Sequence, residues 1–139
     1  MSINVQWLKE GYQFEAENKV GGKIRIDGDG VLQGIEGGIT PLELLLAGIG
    51  ACSAVDVVMI LKKQRQDIES LEVRVDPEKI KNEIGYSEYK TIHMHYTLKG
   101  NIDSNKAQKA LELSINKYCS VSKALEKSSE ISFSFEINP

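Results

Sequence analysis

The residues with the most chemistry to offer are two cysteines. Cys52 sits in "GIGACSAVDVVMILKK", residues 48–63, one of the most apolar runs of the chain. Cys119 follows 67 positions later in "NKYCSVSKALEK". A free thiol serves as a nucleophile, a disulfide partner or a soft metal ligand, and just as often as a small buried hydrophobe. Cys119 stands at, or one residue before, the start of a short helix. Unsatisfied N–H groups and the helix dipole favour a thiolate there, so on residue type and position alone it is the more reactive of the two. Cys52 lies mid-helix among apolar neighbours, and needs a cationic or hydrogen-bonding partner to react as a thiolate.

The other candidates are plainer. His93 and His95 form an HxH pair on one face of a strand, with Thr91 and Thr97. Metal sites show three or four ligands at recognisable spacing, and this pair reads as polar side chains on a solvated face. Asp56 lies one turn beyond Cys52 on the same helix face. A carboxylate there opposes a thiolate, so Asp56 is expected to cap or pair, within a dimer core, and not to activate. Glu43 completes a capping box, and nine residues of helix place it roughly opposite Cys52.

These residues need elements to hold them. "INVQWL" and "YQFEAE" alternate around "KEG" as a β-hairpin, and "GGKIRIDGDG" carries a third strand between glycines. The glycine-rich stretch 27–38 lacks phosphate-loop spacing. "TPLE" then opens a helix, with Thr40 as N-cap, Pro41 at the first position and Glu43 at the third. That helix runs to about Gln64. "LEVRVD" and "TIHMHYTLKG" are two strands with a charged loop over 76–88. A helix capped by Asp103 or Ser104 places Ala107, Ala110, Leu111, Ser114 and Tyr118 on its inner stripe. A shorter helix capped by Cys119 or Ser120 turns Val121, Ala124 and Leu125 inward. "ISFSFEI" closes the chain as a half-buried strand. The order β-β-β-α-β-β-α-α-β is irregular, which favours an α+β fold of antiparallel sheets over a doubly wound parallel sheet.

Along the long helix Gly48, Ala51, Cys52 and Val55 make a small-residue stripe that admits another backbone closely. The remaining faces are apolar too. One small domain has little material to cover them, so a second copy of the chain is expected to do so.

At 139 residues the chain fits a single domain, 1–139. Seventeen basic and 20 acidic residues are interspersed, for a net charge of -3, which leaves no electrostatic footprint for nucleic acid or anionic membrane. Residues 41–61 hold 15 apolar side chains in 21, close to membrane-spanning length. Glu43 and Asp56 within them argue instead for a helix wrapped by protein. The N-terminus has no basic stretch followed by an apolar one, so a cytoplasmic chain with reduced thiols is expected.

"TPLELLLAGIGACSAVDVVMIL" and "KYCSVSKAL" together resemble the two signatures of the OsmC/Ohr family, the osmotically inducible and organic-hydroperoxide-resistance proteins. The element order agrees, so the resemblance covers nearly the whole chain. It implies an OsmC-like α+β fold with a long buried central helix, in an intertwined homodimer. It also implies reduction of organic hydroperoxides by a thiol mechanism without metal or organic cofactor. By motif, Cys52 is then the peroxidatic thiolate, against the reactivity order read from position. Cys119 is the resolving thiol, and an external thiol reductant completes the cycle. In the peroxidase members a glutamate directly follows the proline and joins an arginine to hold the thiolate. Here Leu42 follows Pro41 and the acid is Glu43, while Arg25 is the only arginine before Cys52. Those departures resemble a less characterised OsmC-like branch. Beside the peroxidase stands a second reading, a non-enzymatic redox-responsive protein or a binder of small apolar ligands.

Overall fold

A computed structural model describes residues 1–28 and 38–139 of the chain. Most of the glycine-rich stretch 27–38 lies outside the described residues. The chain divides into two compact units, Met1–Leu45 and Leu46–Pro139.

In the first unit β1 (Ile3–Trp7), β2 (Gln13–Asn18) and β3 (Lys23–Asp27) form an antiparallel meander in that order. The β1–β2 turn uses Lys9 and Gly11 at positive φ, 61° and 51°. Ile3, Val5 and Trp7 share one face of β1, as their alternation requires, and each is at least half exposed. The helix start is as written in "TPLE". The Glu43 N–H donates to Thr40 Oγ1 (3.3 Å), and the Thr40 N–H donates to Glu43 Oε1 (2.9 Å).

That capping box opens α1 (Pro41–Lys63), which continues into the second unit. There β4 (Asp67–Lys81), β5 (Ser87–Asn101) and β6 (Glu130–Ile137) make a three-stranded sheet with β5 at its centre. The inner face of β5, Ile92, Met94, Tyr96 and Leu98, is fully buried. Each such side chain is worth roughly 1.5–3 kcal/mol of burial, which makes β5 the spine of this unit. Ile49, Ser53, Val57 and Leu61 of α1 recur every fourth residue and are equally buried. Gly50 permits the approach to β4, since a Cβ there would sit 3.1 Å from Val75 Cγ2. Of the small-residue stripe, Ala51 and Val55 are exposed, and Gly48 and Cys52 are half-buried. By length and hydropathy α1 also suffices to cross a membrane.

The strands depart from expectation twice. No loop spans 76–88: β4 runs on through Lys81, with a register shift at Glu78/Lys79, and the connection is only 82–86. Also, β6 pairs with β5 in parallel, Ile92 opposite Ile131 through Leu98 opposite Ile137. The second sheet is thus antiparallel at β4–β5 and mixed overall.

Between β5 and β6 runs α2 (Ser104–Leu113), capped by Asp103, whose carboxylate accepts from the Lys106 N–H at 3.0 Å. A π-helical turn, Ser114–Tyr118, and α3 (Ser120–Leu125) follow. The extra residue of the π-turn rotates what comes after it. Tyr118, expected inside, is half exposed, and Cys119 takes the inner position. In α3, after the extended Cys119, Ala124 is exposed and Ser122 buried.

Candidate redox site

Both thiols lie within the second unit. Cys52 is half-buried on α1, Cys119 is fully buried, and both are free thiols. Cys119 N-caps α3, its Sγ accepting from the Ser122 N–H at 3.4 Å. Position alone favours a thiolate there, but burial outweighs the cap. Removal from water, the largest cause, pushes the Cys119 thiol up to about 11; the Ser122 N–H opposes this, and the adjoining Cys52 side chain adds to it. Cys119 is therefore a neutral thiol at physiological pH, next to the more accessible Cys52. The sequence expectation that made Cys119 the readier thiolate is corrected.

A polar network underlies the pair. Ser53, next to Cys52, has its Oγ 2.7 Å from Tyr96 Oη and 3.1 Å from the Gly50 carbonyl. The Tyr96 hydroxyl reaches Met94 Sδ at 3.5 Å. Burial pushes the Tyr96 phenol up to about 12; the Ser53 hydrogen bond opposes this, and negative charge at Cys119 and at Asp56 adds to it. Across from α1, the Ser114 hydroxyl lies 3.0 Å from Asp56 Oδ2 and 3.1 Å from the Ser53 carbonyl oxygen. Both are acceptors, so they share its one proton. The Ser114 carbonyl accepts the Cys119 N–H at 2.7 Å. Asp56 thus finds its partner within its own chain. Beside it Met59, Ile60, Lys63, Gln64, Leu113 and Tyr118 line a cleft of about 620 Å³.

Arg25 and Glu43 belong to the first unit. Arg25 Nη1 donates to Gln13 Oε1 at 3.1 Å, and Glu43 closes the capping box. His93 and His95 stand on the outer face of β5 and hydrogen-bond to β6. Ser53 and Ser114 were the site residues least visible beforehand. Their signal was present, since a serine on an otherwise apolar buried stripe must bond to something.

A long helix laid on a three-stranded sheet, with a broken second helix seating one thiol beside another, defines a two-thiol α+β protein. The sequence pattern of the OsmC-like protein family matches residues 33–134. Protein YhfA of Escherichia coli K12 is 35% identical over 138 residues, covering 99% of this chain and 98% of that protein. A crystal structure of a hypothetical protein from Aquifex aeolicus VF5 superposes with a TM-score of 0.80 at 28% identity, covering 99% and 97% of the two chains. The organic hydroperoxide resistance protein OhrB of Bacillus subtilis shares the fold, with a TM-score of 0.71 at 18% identity over 97% and 96%. The chain belongs to the OsmC/Ohr-like family.

Proposed function

We propose that the protein is a thiol-dependent peroxidase for organic hydroperoxides, with Cys52 as the attacking thiolate and Cys119 as the resolving thiol. One observation carries the reading: two free thiols 67 residues apart are neighbours, one accessible and the other buried and protonated. The Cys52 thiolate attacks the distal peroxide oxygen. An S–O bond forms, the O–O bond breaks, and the departing alkoxide takes a proton to leave as an alcohol. Cys119 then attacks the Cys52 sulfenic acid; the S–S bond forms, and the hydroxyl leaves as water with the Cys119 proton. An external dithiol reduces the disulfide by exchange. Family membership, and the name of OhrB as an organic hydroperoxide resistance protein, support this chemistry.

Glu43 and Arg25 are proposed as the pair that activates Cys52, in place of the glutamate and arginine of the peroxidase members. The near-complete alignment to relatives supports one OsmC-like domain over 1–139, and an intertwined cytoplasmic homodimer completes the proposal. The test is consumption of cumene hydroperoxide with a dithiol reductant. Cys52→Ser should abolish turnover, while Cys119→Ser should stop at a dimedone-trappable sulfenic acid. Arg25→Ala should lower kcat/KM at least tenfold. A wild type that consumes no hydroperoxide removes the reading.

The cleft at Asp56 and Tyr118 favours the second reading, a redox-responsive binder of small apolar ligands. That protein would form the disulfide reversibly but turn over slowly.

A further inference from the structure

We propose that Asp56 and Ser114 are a positioning pair that holds Cys119 against Cys52 and so sets how readily the two thiols join. The proposal deepens the redox reading and rests on its choice of thiols.

The geometry points to Ser114 as a hinge. It begins the π-turn, and its carbonyl takes the i+5 bond from the Cys119 N–H that defines that turn. π-Turns are rare, and persist where surrounding structure holds them. If the turn relaxed to α-helix, one residue would leave the register and Cys119 would rotate by about 100°, away from α1. Tyr118, now outside, would turn toward its place.

What anchors the hinge is α1. The Ser114 hydroxyl spans from α2's end to Asp56 Oδ2 and to the Ser53 carbonyl, both within one turn of Cys52. The bond to the carboxylate is charge-assisted, the stronger kind. Ser114 therefore ties the Cys52 helix on one side and the Cys119 amide on the other. This also gives the carboxylate near the thiol a use: it is structural and acts through Ser114. Nearby, Ser122 Oγ donates to the Ile115 carbonyl at 3.0 Å, which secures the far end of the turn but not its distance from α1.

The experiment is the equilibrium of the Cys52–Cys119 disulfide against reduced and oxidised dithiothreitol, read by mass spectrometry of alkylated protein. Asp56→Ala should lower the disulfide's equilibrium constant at least tenfold, and Ser114→Ala similarly. Asp56→Asn keeps an oxygen that accepts from Ser114, and should stay within about threefold of wild type. A structural role unrelated to the thiols would not produce that rescue with urea midpoints of Ala and Asn variants matched. The proposal is overturned if a folded Asp56→Ala stays within twofold of wild type, or if Asp56→Asn fails as badly as Ala. Should Asp56→Ala not fold, Ser114→Ala, which deletes one hydroxyl, decides by the same criterion. A wild type that forms no such disulfide at any poise also overturns it. A wild type that forms the disulfide but consumes no hydroperoxide defeats the peroxidase and leaves the positioning pair standing.

Discussion

At the scale of single residues, the two thiols differ by environment and not by type. Cys119 keeps its proton because burial opposes its charge more than the α3 cap favours it. The raised folded-state value has a consequence for stability. Below about pH 9 the thiol is neutral in both folded and unfolded chains, and its contribution is complete. As the pH rises from about 9 through about 11 the unfolded chain releases the proton first, so that stability is lost. Tyr96, raised from 10.0 to about 12, adds a loss of the same sign at higher pH. Urea midpoints measured from pH 8 to 11 should fall more steeply for wild type than for Cys119→Ala; parallel curves would contradict the assignment. Both cysteines were legible as a possible site from their motifs. Their order of reactivity was not, because helix position is visible in a sequence and burial at a π-turn is not.

Among the elements, those with a strong period were legible. The capping box marked the start of α1, and the alternation of Ile92, Met94, Tyr96 and Leu98 marked the buried face of β5. The extension of β4 past Val75 carries no such pattern, and Pro77 argues against a strand. It is tolerated because β4 is an edge strand, where a missing N–H can face outward. The direction of β6 was equally hidden, since a period of two is the same read either way. Its outer face shows what holds it. Ser132, His93, Ser134, His95 and Glu136 form one hydrogen-bonded line across β5 and β6, with contacts of 2.7, 2.9, 2.7 and 3.1 Å. A carboxylate only accepts, so His95 Nε2 donates to it. With both imidazoles neutral, every earlier bond then points the same way, from the Ser132 hydroxyl through to Glu136. Nitrogen-15 NMR should find the Nε2–H tautomer in both histidines. Ser134→Ala breaks the line at its centre and should cost about 1 kcal/mol in urea unfolding. An unchanged midpoint would mean water replaces the hydroxyl without loss.

For the whole molecule, the question is what covers the apolar surface that one chain leaves open. Val55 and Met59 of α1 are 57% and 52% exposed, and Trp7 of β1 is 50% exposed. The helix is apolar on nearly every side, yet only its Ile49, Ser53, Val57, Leu61 stripe, with Gly50, is buried. The sequence carried this imbalance openly, as a helix too apolar for a domain of this size. It did not say which face would remain uncovered, because that depends on where β4 and β5 dock. A second copy is the occupant that needs no further component, and two α1 helices meeting at Ala51 and Val55 would approach closely over small side chains. Sedimentation equilibrium at micromolar concentration should therefore give twice the 15.4 kDa chain mass. Val55→Lys paired with Met59→Lys places two ammonium groups on the exposed face, and a dimer would have to bury them. That variant should shift toward the single-chain mass and weaken association at least a hundredfold. Its secondary structure should persist, since neither side chain belongs to the buried stripe. If wild type sediments as one chain, or the double lysine variant associates as wild type does, this face of α1 is not where two copies meet.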